Sequence, residues 1–98
     1  MLTMEQGEGG TVSIAGRLDA SQAANAQAFL DKVGGAVTVD CSRLEYISSA
    51  GLGVFLKTQK RLLAAGGKLR LVGTGRHLFD IFQYSGFDKV FEIERAAD

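Results

Sequence analysis

A change of hydrophobic period near Ile47 is the feature that most constrains the fold of this chain. Upstream, between Ala36 and Asp40, apolar Val37 and Val39 alternate with polar residues, as in a half-buried strand. Downstream, apolar residues recur with the 3.6-residue period of an amphipathic helix: Leu52, Phe55, Leu56, Leu62 and Leu63. The polar side of that helix carries Lys57, Thr58, Lys60 and Arg61. The pattern predicts a strand followed by a helix that ends at Gly66-Gly67.

Two adjacent hydroxyl side chains, Ser48 and Ser49, fall where the strand gives way to the helix. The first backbone N–H groups of a helix have no acceptor within the helix, and a serine oxygen can accept from them. Taken alone, the pattern predicts that Ser48 caps the helix and that Ser49 occupies its first turn. A phosphate added here would lie at the helix N-terminus.

The N-terminal third of the chain predicts a hairpin and a helix. Leu2 and Met4 alternate with polar residues before the turn-forming segment 7–10, and the alternation resumes at Val12 and Ile14. The helix that follows begins with Asp19 or Ser21 as its cap and ends at Gly34-Gly35. Its apolar side consists of Ala26, Phe29, Leu30 and Val33.

The C-terminal third continues the alternation of strands and helices. The pattern predicts a strand over 68–72, a short helix over 76–83, a last strand over 89–93 and a terminus over 95–98 that frays or extends a short helix. Helical crossovers favour parallel strands, whereas the initial hairpin requires one antiparallel pair. The predicted fold class is therefore α/β, with a mixed β-sheet partly covered by helices in a single domain over residues 1–98.

Composition excludes several classes of function. Eleven basic residues balance eleven acidic ones, which argues against direct, non-specific binding to nucleic acid. No segment has the length of a membrane-spanning helix and the first residues do not resemble a signal peptide, so we expect a cytoplasmic protein without direct membrane insertion. Cys41, the only cysteine, is interpreted as a packed residue at a strand end.

The sequence predicts no catalytic, cofactor-binding or metal site. The glycines of 51–53 and 73–75 complete neither GxGxxG nor GxxxxGK[ST], so we assign Gly51 and Gly53 to close strand–helix packing and the later pair to a turn. One histidine and one cysteine do not suffice for a His/Cys metal centre. His77 is interpreted as a cap or surface residue, and Asp40 as structural.

Residues 49–53, Ser-Ala-Gly-Leu-Gly, match the pattern Asp-Ser-(Ser/Thr/Ala)-Gly-Leu-Gly from its serine onward. In this respect the chain resembles the STAS family of anti-sigma factor antagonists, whose regulatory serine lies in that pattern. Further similarities run through segments 16–19, 37–42, 66–72 and 78–82. The chain departs from the pattern at Ser48, where the family commonly has Asp.

The resemblance implies a phosphorylation-controlled interaction module. Unphosphorylated protein would bind an anti-sigma factor with serine kinase activity, phosphorylation would end that binding, and a PP2C-like phosphatase would restore it. Alignment to the motif favours Ser49 as the acceptor, with Ser48 as the alternative. The implied partner surface consists of Asp19, Ser48, Ser49, Ala50, Gly51 and Leu52. The alternative function is that of a constitutive STAS subunit in a membrane lipid-transport ATPase complex, where the serine region would only contact the ATPase subunit.

Overall fold

Five strands form one mixed sheet in which the strands lie in sequence order, β1-β2-β3-β4-β5. The computed structural model describes residues 1–96. The strands are β1 (Leu2–Gln6), β2 (Thr11–Leu18), β3 (Ala36–Ile47), β4 (Lys68–Thr74) and β5 (Glu92–Arg95). The first pair is antiparallel and the other three pairs are parallel. The predicted hairpin and mixed sheet are both confirmed.

The turn between β1 and β2 depends on glycine. Gly9 and Gly10 adopt positive φ angles of 63° and 77°, a region that is accessible to glycine without steric cost. A Cβ at Gly10 would lie 2.6 Å from the carbonyl oxygen of Ala36. The hairpin turn therefore packs directly against the start of β3.

Three helices cover one face of the sheet: α1 (Ala23–Leu30), α2 (Ser49–Ala64) and α3 (Arg76–Tyr84). Two 3-10 turns, Ala20–Gln22 and Phe87–Lys89, precede α1 and β5. Buried side chains alternate along β2, β3 and β4, as expected for strands covered on one face only. The largest fully buried side chains include Phe55 and Phe82, whose rings pack 6.4 Å apart between α2 and α3.

The opposite face of the sheet carries polar side chains. The guanidinium of Arg17 stacks 4.3 Å from the ring centre of Tyr46. On the short edge strand β5, Glu92 pairs with Lys68 at 3.0 Å and with Arg70 at 3.5 Å. These contacts join β2 to β3 and β4 to β5 on the side of the sheet that the helices leave free.

Several predicted boundaries differ from the structure. Strand β3 continues to Ile47 and buries Leu44, so Cys41 lies within the strand and not at its end. The last strand begins only at Glu92, because a 3-10 turn occupies the preceding segment, and it includes Arg95. Of the terminus predicted to fray or form a helix, residues 97–98 lie outside the described range.

The predicted sides of α2 are wrong at two positions. Thr58, predicted on the polar side, is fully buried, and its hydroxyl donates to the carbonyl of Val54 at 2.8 Å. Leu63, predicted on the apolar side, is 55 % exposed.

Across residues 1–96, no helix combines the length and hydropathy required to span a membrane.

Candidate functional site

The carboxyl ends of β2 and β3 lie side by side and bring together the two parts of the predicted site. Leu18, the last residue of β2, pairs with Ile47, the last residue of β3. Asp19 directly follows β2, and Ser48 directly follows β3. Leu18 and Ser48 are therefore in direct contact, although they lie 30 positions apart in the sequence.

Ser48 is the N-cap of α2, with extended backbone angles of φ −92° and ψ 173°. Its hydroxyl accepts from the N–H of Gly51 at 3.2 Å and donates to the carbonyl of Leu18 at 3.2 Å. Its backbone N–H donates to the same carbonyl at 2.9 Å. Ser48 thus joins the end of β2 to the beginning of α2, and its hydroxyl proton is engaged within the fold.

Ser49 is the first residue of α2 and is exposed. Among residues 1–96, no partner forms a hydrogen bond with its hydroxyl. Ala50 is also exposed, whereas Leu52 is half-buried and packs against the core. The helix begins with a free hydroxyl and a small side chain that face solvent.

The two glycines of the motif have different surroundings. A Cβ at Gly51 would lie 2.8 Å from side-chain atoms of both Leu18 and Ile47, so only glycine lets the helix approach the strand ends this closely. This confirms the packing role predicted for Gly51. A Cβ at Gly53 would meet no atom of the described residues within 4 Å, so the same role is wrong for Gly53.

Asp19 caps the 3-10 turn that leads into α1. One carboxylate oxygen accepts from the hydroxyl of Ser21 at 2.6 Å and from its N–H at 3.1 Å. The hydrogen bond from the Ser21 hydroxyl, assisted by those from the N–H groups of Gln22 and Ser21, lowers the pKa of the Asp19 carboxyl. Asp19, one of the two caps predicted for the helix, thus caps the preceding 3-10 turn, whereas α1 itself begins after Gln22 without a side-chain cap.

Within residues 1–96, the other residues singled out in the sequence form no hydrogen bond to Asp19, Ser48 or Ser49. Burial raises the pKa of the Cys41 thiol to about 12, with a smaller contribution from the charge of Asp40, so the thiol stays protonated at neutral pH. His77 is exposed in the first turn of α3. Asp40 accepts from the N–H of Ser42 at 2.9 Å. Gly73 lies in β4 with a φ of 67°, next to Asp40.

Contacts between α1 and α2 position the site and were not predicted. Gln27 donates to the Thr58 hydroxyl at 3.3 Å, and Arg61 donates to the carbonyls of Leu30 and Val33 at 2.7 and 2.6 Å. Arg61 thereby connects α2 to Leu30, the last residue of α1, and to Val33 in the loop that follows α1. A polar residue inside a helical pattern gives no indication of which distant carbonyl it binds.

Comparison with known proteins identifies the family. The family model described as "Mlab, STAS domain" matches residues 1–93. BtrV of Bordetella bronchiseptica, named as an anti-sigma factor antagonist, is 33% identical over 99% of this chain and 88% of its own length. The anti-sigma-B factor antagonist of Listeria monocytogenes is 31% identical over 85% of this chain and 76% of its own length.

Solved structures agree with the fold. The anti-sigma factor antagonist SpoIIAA in its unphosphorylated form has a TM-score of 0.77 at 22% identity, over 95% of this chain and 87% of that one. The phosphorylated form of SpoIIAA from Bacillus has a TM-score of 0.70 at 22% identity, over 95% of this chain and 90% of that one. With a matching family model and relatives above 30% identity, the chain belongs to the STAS-domain family of anti-sigma factor antagonists.

Proposed function

We propose that this chain binds an anti-sigma factor with serine kinase activity through the surface around Ser49, and that phosphorylation of Ser49 ends the binding. The observation that carries the proposal is the contrast between two adjacent hydroxyls. The Ser48 hydroxyl is tied to Leu18 and Gly51, whereas the Ser49 hydroxyl is exposed and free of hydrogen bonds within residues 1–96. In this scheme the chain is a binding protein and a substrate, and the partner holds ATP.

Access favours Ser49 over Ser48 as the phosphoryl acceptor. Transfer to Ser48 would require its hydroxyl to leave the Leu18 carbonyl, and a phosphate there would bring negative charge against that carbonyl oxygen. Transfer to Ser49 breaks no hydrogen bond of the described fold. The existence of SpoIIAA, a protein of the same fold, in a phosphorylated form also supports a modification of this kind.

The proposed release mechanism is a local change of charge. Phosphoserine carries about −1.5 to −2 charges near neutral pH. The start of α2 tolerates this charge, because a helix N-terminus stabilises an anion by about 0.3–1 kcal/mol and the first turn of α2 holds no acidic residue. A partner surface packed against the free hydroxyl meets both added bulk and an unpaired anion. A PP2C-like phosphatase would remove the phosphate and restore binding.

A second candidate function is a constitutive subunit of a membrane lipid-transport ATPase complex. The observation in its favour is the family model that matches residues 1–93, which is described as "Mlab, STAS domain". In such a complex the exposed start of α2 would contact the ATPase subunit without being modified. Phosphorylation distinguishes the two functions.

The test uses the purified ATP-binding serine kinase encoded nearest to the gene for this chain. Incubation with that kinase and ATP should add one phosphate to the wild type and to Ser48→Thr, and none to Ser49→Ala. Peptide mass spectrometry should find the phosphate on Ser49. A phosphate found on Ser48, or unmodified wild type beside an active kinase, would contradict the proposal.

A further inference from the structure

Within residues 1–96, no steric crowding explains why position 53 is glycine. It lies in the second turn of α2, where glycine weakens a helix relative to alanine because of its larger conformational freedom in the unfolded chain. In the part of the chain that the structure describes, a Cβ at this position would have no neighbour within 4 Å, in contrast to the crowded Gly51. Glycine at this position would instead allow another molecule to approach α2 closely.

Gly53 lies in an open groove between α1 and α2. The groove has a volume of about 370 Å³ and is lined chiefly by small side chains. The lining residues include Ala23, Ala24, Gln27, Ala50, Gly53 and Lys57. Because Ala50 directly follows Ser49, the groove continues from the proposed phosphorylation site along the surface of α2.

Two polar groups in the groove lack partners. Lys57 is exposed at one end and forms no ion pair with any residue of the range 1–96. Gln27 also lines the groove, and its amide oxygen is buried without a hydrogen bond from the described residues. A buried acceptor without a donor is unfavourable. The groove therefore offers an apolar floor, an unpaired cation and an unsatisfied acceptor.

We propose that this groove receives a segment of the anti-sigma factor that places apolar atoms over Gly53 and a carboxylate beside Lys57. For the amide oxygen of Gln27 to accept from an N–H donor on the segment, the amide must turn toward the groove, which exchanges the hydrogen bonds of its nitrogen to Asp31 and Thr58 for the new contact. The inference rests on the proposed function, because it assigns a second contact to the same partner. It extends the binding surface from the start of α2 to Lys57, eight residues further along the helix.

Substitution of Gly53 tests the inference because stability and binding should change in opposite directions. Gly53→Ala should raise the melting temperature by about 3–8 °C, since the methyl group meets no neighbour and alanine favours the helix. Gly53→Leu, which fills the groove, should weaken binding of the same purified kinase at least tenfold in calorimetry without ATP. The matched control is Ala64→Leu, which adds the same side chain about 16 Å away on α2 and should leave affinity unchanged.

The charge is tested separately. Lys57→Glu should weaken kinase binding about tenfold or more, while Lys60→Glu, an equal charge change at an exposed position outside the groove, should have a much smaller effect. Wild-type affinity for both Gly53→Leu and Lys57→Glu would overturn the inference while leaving the proposed function intact. A lower melting temperature for Gly53→Ala would also overturn it, because the groove would then not be open. Wild type that does not bind the kinase would contradict the proposed function itself.

Discussion

The carbonyl oxygen of Leu18 accepts two hydrogen bonds from Ser48, one from the backbone N–H at 2.9 Å and one from the hydroxyl at 3.2 Å. The same hydroxyl accepts from the N–H of Gly51. One side chain therefore fixes the start of α2 both to its own first turn and to the neighbouring strand. This arrangement holds Ser49 at the surface.

Removal of the Ser48 hydroxyl should destabilise the fold. Ser48→Ala loses the helix cap and the bond to Leu18, which together should lower the free energy of unfolding by about 1–2 kcal/mol. Ser48→Thr keeps a hydroxyl that can donate and accept, so it should remain close to wild type. Urea denaturation measures both. Equal stability of Ser48→Ala and wild type would show that the two hydrogen bonds contribute nothing.

Asp19 should make stability depend on pH in the acid range. Because its pKa is lowered in the folded state, the stabilisation is present above the unfolded pKa of about 4 and is lost as pH falls through the lower folded value. Asp19→Asn keeps a capping oxygen but no titrating group. It should therefore be slightly less stable than wild type at pH 7, and its melting temperature should fall less between about pH 4 and pH 2, so that the two proteins converge in acid. An identical acid profile for the two proteins would contradict this account.

The same variant tests whether the charge of Asp19 belongs to the partner surface. If it does, Asp19→Asn should weaken kinase binding at pH 7 although its melting temperature stays near that of wild type. Unchanged binding and phosphorylation rates in the folded variant would leave Asp19 with a capping role only. In that case the segment that begins at Ser48 would form the proposed surface without it.

The side chain of Gln59, on α2, connects Leu69 of β4 to Val90, which precedes β5. Its amide oxygen accepts from the N–H of Leu69 at 2.7 Å, and its amide nitrogen donates to the carbonyl of Val90 at 2.9 Å. The ladder between β4 and β5 begins only at Arg70 and Glu92. The Gln59 side chain therefore connects the two chain segments just before they pair as strands β4 and β5.

Gln59→Leu should lower the free energy of unfolding by about 1–3 kcal/mol, because it leaves the N–H of Leu69 buried without an acceptor. Gln59→Glu should be destabilised at pH 7 and partly recover in acid, where the protonated carboxyl can again donate to Val90. Denaturation at both pH values and amide exchange at Leu69 measure these effects. A stable Gln59→Leu with slow exchange at Leu69 would exclude the bridging role.

The order of strands and helices could be predicted because it depends on local patterns. Alternation at Val37 and Val39, the apolar period of α2 and the glycines of the hairpin turn each determine one element from a few neighbouring residues. The capping position of Ser48 follows from the same information. Strand ends were less predictable: β3 continues beyond Cys41 because register shifts in its pairing with β2 keep Leu44 and Ile47 buried.

The unpredicted parts of the site depend on contacts between distant residues. The acceptor for Ser48 is a backbone carbonyl, which every residue has and which the sequence therefore cannot single out. Thr58 and Gln59 have polar side chains, yet both are buried because partners on or beyond α2 satisfy them. Gly53 resembles Gly51 in sequence, and only the position of α1 shows that the space beside it is open.

The central claim is that charge on Ser49, without a change of fold, ends binding to the partner. A hundredfold loss of affinity corresponds to about 2.7 kcal/mol, which is within the range of one unpaired charge at a desolvated contact. The most direct measurement is calorimetric titration of the purified serine kinase with three folded forms of the chain: wild type, Ser49-phosphorylated protein and Ser49→Ala. We expect wild type and Ser49→Ala to bind with similar affinity and the phosphoprotein to bind at least a hundredfold more weakly. Equal affinity of the phosphoprotein and the wild type would contradict the claim.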